Sequence, residues 1–253
     1  MSNIFMAGLR RLNAIAGLLH LAQGIAVLIL STNFTLPITG GYLKLNPATN
    51  HLEAGSNTLF HLSLPWLVAI FFFLSAVFHL AIATFYNRTY VANLARGINR
   101  ARWFEYSLSA SVMMVAIAML TGIYDAMSLL MIFALVAIMN LTGLAMEVYN
   151  QGRQNINWLA YKIGSLAGFV PWVAVAFYIA NSSHVGSGAP TFVYFIFGSI
   201  FIFFSCFALN MYLQYKKVGK WADYLYGERM YIILSLVAKS LLAWQVFAGT
   251  LRP

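Results

Sequence analysis

Seven long apolar runs, separated by short polar stretches, dominate the chain. They span about residues 8–30, 59–86, 100–121, 124–149, 157–180, 189–216 and 228–250. Each approaches or exceeds the roughly 20 residues a helix needs to cross a bilayer. The apolar positions run continuously instead of alternating, which excludes a transmembrane barrel. The pattern predicts an all-α, seven-transmembrane-helix bundle, residues 1–253 as a single membrane domain. The first run follows Arg10-Arg11 and is too long for a secretory leader, and Leu30-Ser-Thr-Asn-Phe offers no small-x-small cleavage site, so it reads as a retained helix.

One connection is long, Ser31 to Thr58, and its Pro37, Gly40-Gly41, Asn46-Pro47 and Gly55 are turn signals. Within it Thr35–Thr39 and Gly41–Leu45 can pair as a short β-hairpin. No internal repeat or low-complexity segment interrupts the rest.

Composition agrees with the pattern. Charged residues make up 8% of the 253 and hydrophobic ones 61%, against about 25% charged in a soluble domain. The net charge of +9 would suit nucleic acid, but its distribution does not, because the basic residues lie in short loops between apolar runs. Twelve of the fifteen Lys and Arg fall on one side of the bundle, and only Lys44 and Arg252 on the other. The positive-inside rule then places the N-terminus in the cytoplasm and, after seven spans of a cell membrane, the C-terminus and the long first loop outside. The single cysteine, Cys206, excludes an intramolecular disulfide and a thiolate metal cluster.

The fifteenth cation is Lys239, near the middle of the last run and about eleven residues from either end. That is ~16 Å of helix, too deep for simple snorkelling, and a charge at that depth usually faces the bundle interior and has a function. One chemistry removes its cost: condensation with an aldehyde to a Schiff base, balanced by a carboxylate. Glu105, near the cytoplasmic start of the third run, is the candidate partner. Both side chains lean toward their helix N-termini, and their depths differ by about five residues, ~7–8 Å. The competing reading is a surface glutamate paired with Arg100 or Arg102. Glu147, Glu228 and Arg102 share the cytoplasmic side and read as a loop-fastening ionic cluster. His20 and His79 lie inside the first two runs; with Gln23 they suggest a polar cavity, whereas a zinc site lacks a close carboxylate or thiolate. Ser235 is one turn before Lys239 on the same face.

A lysine in the seventh helix with a carboxylate in the third resembles the retinal-binding rhodopsins. Ser235-Leu-Val-Ala-Lys239-Ser, Ala243-Trp-Gln245, Trp103-Phe-Glu105-Tyr-Ser-Leu-Ser, Gly168-Phe-Val-Pro-Trp172, Tyr212-Leu-Gln-Tyr215 and Gly227-Glu-Arg229 are similar to heliorhodopsin, the family with inverted orientation. The resemblance implies all-trans retinal bound to Lys239 as a protonated Schiff base, with Glu105 as counterion. It implies a proton-accepting polar cavity of His20, Gln23, His79 and Tyr90. Around the chromophore it places Tyr106, Ser109, Met113, Met139, Gly143, Pro171, Trp172, Phe204, Ser235 and Trp244. Ser235 stands where ion pumps carry a second carboxylate, and Ala110 and Met211 are local departures in the pocket. The implied protein is a non-enzymatic, dimeric light sensor with a slow photocycle. Its proton moves internally without net transport, and its partners are the lipid bilayer and an unidentified cytoplasmic signalling protein. The rival functions are a light-gated proton channel or pump of the same fold, and a retinal-free transporter using Lys239, Glu105 and the histidines as a proton relay.

Overall fold

The computed structural model describes residues 3–253, with side chains from Met6 onward. The chain runs α1 (Asn3–Leu30), β1 (Thr35–Asn46), β2 (His51–Ser63), α2 (Leu64–Ala83), α3 (Asn87–Ala95), α4 (Arg100–Leu120), α5 (Ala126–Tyr149), α6 (Leu159–Val185), α7 (Thr191–Lys216) and α8 (Tyr224–Val246). A π-helical turn, Phe247–Leu251, follows. All but α3 are long and apolar enough to cross a membrane, seven in number.

Local chemistry sets where these helices begin. Pro65 opens α2, where a missing N–H leaves nothing unsatisfied. The Asn99 side chain accepts from the N–H of Arg102 at 3.0 Å to start α4. Asp125 accepts from Ser128 at 2.8 Å for α5, and Asp223 from Leu225 at 3.0 Å for α8. Such caps satisfy amides that a helix cannot pair internally. At its other end α7 stops on Lys217, in the left-handed region at φ 54°.

The helices close into a ring in which α1 packs on α2, α2 on α4, α4 on α5, α5 on α6, α7 on α8 and α8 on α1. Helix α4 is the most buried and forms the centre of the bundle. The α6–α7 seam is the loosest in the ring. One large core cluster, including Phe71, Ile117, Val175, Leu242 and Val246, fills the half nearer the hairpin. The opposite, basic face is closed by α3 and its short flanking turns.

The hairpin differs from the expected one. Thr35–Thr39 and Gly41–Leu45 lie on one continuous strand, and β1 pairs antiparallel with β2 from Thr35↔Ser63 to Asn46↔His51. Gly40-Gly41 stays extended. The turn falls at 47–50 instead, where Asn46 Oδ1 accepts from Ala48 N at 2.9 Å and Asn50 takes φ 54°. The apolar run 59–86 therefore divides: 59–63 is strand, and the helix waits for Leu64-Pro65. A bulge between Ile38 and Thr39 bends the ribbon onto the bundle. There Thr39 N donates to Tyr124 O at 2.8 Å and Ile38 enters the core.

Candidate functional site

Lys239 on α8 and Glu105 on α4 meet in the bundle interior, each 3% exposed. Nζ donates to Glu105 Oε1 at 2.9 Å and to Ser235 Oγ, one turn earlier on α8, at 2.7 Å. The same carboxylate oxygen accepts from Ser75 Oγ of α2 at 2.6 Å and from Ser109 Oγ at 2.7 Å. Three donors on one buried oxygen make a site built for an anion beside a cation. The Tyr106 ring lies 5.2 Å from Nζ and adds a π-face to the cation's surroundings.

Arg102 does not compete for Glu105. Its guanidinium is paired with Glu147 of α5 and Glu228 of α8, both buried. It stacks over the rings of Tyr231 at 3.9 Å and Trp103 at 4.5 Å.

The polar residues toward the basic face form two layers. His79 Nδ1 shares a hydrogen bond of 2.8 Å with Asn13 Oδ1, and His20 stacks on His79 with 5.6 Å between ring centroids. His79 and Tyr90, with Asn13, line a small cavity of about 20 Å³ that also touches Glu105, Arg102 and Glu228. Burial holds the Tyr90 hydroxyl well above its ordinary range, so it stays a neutral donor. Both ring nitrogens of His20 are buried without a protein partner. Gln23 lies elsewhere: its amide donates to Leu19 O at 3.3 Å and accepts from Trp244 Nε1 at 3.0 Å. Among the described residues no three His, Cys, Asp or Glu side chains gather as a metal site.

On the other side of Lys239 a cavity of about 440 Å³ extends between α4, α5, α6, α7 and α8. Tyr106, Met113, Met139, Gly143, Trp172, Phe204 and Ser235 line it, with Lys239 itself. Ser109, Pro171 and Trp244 do not. Ser109 is engaged with Glu105, Pro171 is buried beside the cavity in α6, and Trp244 is 37% exposed on the outer surface of α8. Ala110 and Met211 are at the wall. Trp172 stands among Phe197, Phe201 and Phe204 at centroid distances of 5.7, 5.3 and 5.6 Å.

The sequence reading did not single out Ser75 or Asn13. Ser75 interrupts Phe71-Phe-Phe-Leu four residues before His79, and Asn13 is seven before His20. Helical spacings of four and seven put each on its histidine's face, a signal that was available.

The geometry admits a retinoid. Roughly 300–1,000 Å³ is usual for small-molecule sites, and this cavity is lined mostly by apolar and aromatic side chains and carries one primary amine, that of Lys239. Two glycines let its walls approach closely: a Cβ on Gly143 would come 2.4 Å from the Trp103 ring, and one on Gly164 2.1 Å from Thr142 Oγ1.

Comparison with known proteins agrees. The fold resembles that of the light-driven proton pump LR (Mac) from Leptosphaeria maculans, with TM-score 0.64, 14% identity and 96% and 94% of the two chains covered. It also resembles cyanorhodopsin from the cyanobacterium Tolypothrix sp., with TM-score 0.62, 12% identity and 99% and 96% covered. No curated protein matches in sequence. The family model for heliorhodopsin matches residues 9–251. With seven membrane-capable helices and that match over nearly its whole length, the chain belongs to the heliorhodopsin family and is a retinal-binding, multi-pass membrane rhodopsin.

Proposed function

We propose that the protein is a light-sensing photoreceptor, without enzymatic activity, whose proton moves internally with no net ion transport. Retinal, taken as all-trans and joined to Lys239 as a Schiff base, supplies visible absorption and light-driven isomerisation. The chain's own residues do the rest. Glu105 is the counterion, and Ser75 and Ser109 keep donating to its Oε1 when the cation at Nζ is turned away. Breaking a buried pair is costly, about 3–5 kcal/mol, and that free energy is what can drive a proton off Nζ.

The observation that carries the reading is where the polar side chains lie. The chain has six carboxylates. Toward the hairpin from Lys239 the only ones are Asp125, at the rim of the bundle, and Glu53, in the hairpin. Toward the basic face lie Glu105, Asn13, His20, His79, Tyr90 and the Arg102 cluster. Among the described residues a proton leaving Nζ has buried carboxylates and histidines on one side only, and returns by the way it came. A pump needs acceptors on both. The slow return would hold the signalling conformation.

The charge distribution supports a cytoplasmic basic face, with the N-terminus inside and the C-terminus and hairpin outside. We further propose a homodimer, signalling to a cytoplasmic partner through the basic face. The test has two parts. Lys239→Ala should give protein that stays colourless with added retinal; a normal visible band in that variant removes the chromophore assignment. Wild-type protein in a voltage-clamped cell should give no stationary photocurrent; a sustained one establishes the rival, a light-gated proton channel or pump.

A further inference from the structure

The buried cluster at Arg102 enters the proposed function only through its place on the basic side of the bundle. Its charges do not balance. One guanidinium, 4% exposed, serves two carboxylates, 2% and 1% exposed. Among the described residues no second cation pairs with them. The titratable neighbours are Tyr90 on α3, Tyr215 on α7, and Tyr224 and Tyr231 on α8. Beyond them, His79 on α2 and Glu105 on α4 face Glu228 across the small cavity, and Glu105 is already matched by Lys239. Fully ionised, the cluster would carry a net negative charge away from water, which burial and the second carboxylate both disfavour.

The two carboxylates are not equivalent. Besides Arg102, Glu147 accepts from Asn99 N at 2.8 Å, Trp103 Nε1 at 2.7 Å and Tyr224 Oη at 3.2 Å. Among the described residues Glu228 accepts from Asn99 Nδ2, at 2.7 Å, besides Arg102, and lies beside the Tyr224 hydroxyl. Glu228 lines the cavity of about 20 Å³, which suits a single water. Two further nitrogens at that cavity, Arg102 Nε and His79 Nε2, are buried without a protein partner.

We propose that Glu147 and Glu228 form a second proton-binding site that holds one proton between them. Its ligands are that proton and a water in the small cavity, which joins it to Glu105 and His79. It places a reserve proton one cavity from the counterion, ready to move when Glu105 loses its cation. This reserve role rests on the light-driven reading; the proton's presence does not.

The experiment is infrared difference spectroscopy of purified protein in lipid, read at the carbonyl stretch of protonated carboxylic acids, in H₂O and D₂O. In the dark, raising the pH should remove one exchangeable band from the wild type. Glu228→Gln should lack it and Glu228→Asp should shift it. Glu147→Gln should also lack it, because Arg102 then balances Glu228 alone. A wild type without the band, or a band that survives unchanged in either glutamine variant, overturns the proposal. Helix content and monodisperse elution check that each variant folds, and Glu147→Gln alone decides the matter if Glu228→Gln does not. Under illumination the wild-type band should shift or weaken; a band indifferent to light removes the reserve role. Colourless protein that still shows the dark pattern retains the shared proton and refutes only the chromophore.

Discussion

Replacing Gly143 with Ala tests the pocket at its tight contact with the Trp103 ring. The added Cβ would lie 2.4, 2.5 and 2.7 Å from three carbons of the Trp103 ring. Carbon atoms settle at about 3.5–4.0 Å, so the ring must retreat by about 1 Å. It has little freedom to do so. Its Nε1 is tied to Glu147 at 2.7 Å, Arg102 covers it, and Tyr106 and Tyr231 meet its faces and edges. Overpacking costs about 1–3 kcal/mol, and loss of a hydrogen bond to a charged group about 1.5–3 more. If about 1–3 kcal/mol of this falls on the pocket, retinal should bind roughly 5- to 150-fold more weakly. The assay is titration of retinal-free protein with retinal, followed at the visible band, alongside thermal unfolding. Gly198→Ala is the control: nothing lies within 4 Å of its added Cβ, and helix propensity favours it by up to about 1 kcal/mol. Adding Trp103→Phe to the Gly143→Ala variant removes the distal benzo ring and should recover binding without recovering the Glu147 contact. Wild-type affinity and stability in Gly143→Ala, matching Gly198→Ala, would refute the glycine–tryptophan wall.

Glu105→Gln should move the visible band to the red, because the negative charge that localises the cation at Nζ is gone; Glu105→Asp should move it less, and an unaltered spectrum in Glu105→Gln counts against the counterion. Trp172→Phe should be mild, since its buried Nε1 has no protein partner to lose, whereas Trp172→Ala should cost about 3–5 kcal/mol; equal melting of the two would show that the aromatic cage around Trp172 does not stabilise the fold. The Asp125 carboxyl is held below the usual carboxylate range by the Ser128 amide and hydroxyl, each donating at 2.8 Å. Its contribution to stability is therefore complete above its unfolded value of about 3.9 and fades as pH falls through the lower folded value. Thermal unfolding between pH 5 and 2 should show this loss in wild type and less of it in Asp125→Asn; identical pH slopes would refute it.

The ion pair was legible because helix geometry is regular. Depth counting and the lean of side chains brought Glu105 to Lys239, and the same arithmetic put Arg102 among Glu147 and Glu228. The same regularity, applied more strictly, sorts the residues that the structure places away from the pocket. Trp244 is five residues after Lys239, about 140° around the helix, and so faces outward while Ala243, a full turn on, is buried. Ser109 is one turn after Glu105 and follows the carboxylate, not the cavity. Gln23, three after His20, rotates just far enough to meet Trp244 at the outer surface. Other features depend on tertiary contacts that periodicity does not encode. The strand pairing runs straight through Gly40-Gly41, two residues that read as a turn, because β2 continues to Ser63 and supplies partners for the whole of β1. Helix α3 is polar and short, and only its docking through Tyr90 and Leu94 makes it part of the bundle.

The distribution of buried polar groups bears on which way a proton can go, beyond the identity of any one residue. Near the hairpin the bundle is sealed by Val27, Ile38, Leu64, Val246 and Leu251, each no more than 5% exposed. The base of the hairpin is stitched to the chain's end, where Thr32 N and Oγ1 both donate to Leu251 O. An ion crossing this layer would be stripped of water with no carboxylate to receive it, and an unpaired charge there would cost several kcal/mol. The opposite half holds all the buried carboxylates and every buried histidine nitrogen left unpartnered. Its groups supply the acceptors that the proposed internal proton movement requires. Under the proposed function, a fold otherwise similar to that of a light-driven proton pump would confine the proton to one half, provided that the hairpin half stays apolar. A single carboxylate introduced at Val246 or Leu64 would be the smallest change to challenge that confinement, and it must first overcome the packing that closes the layer.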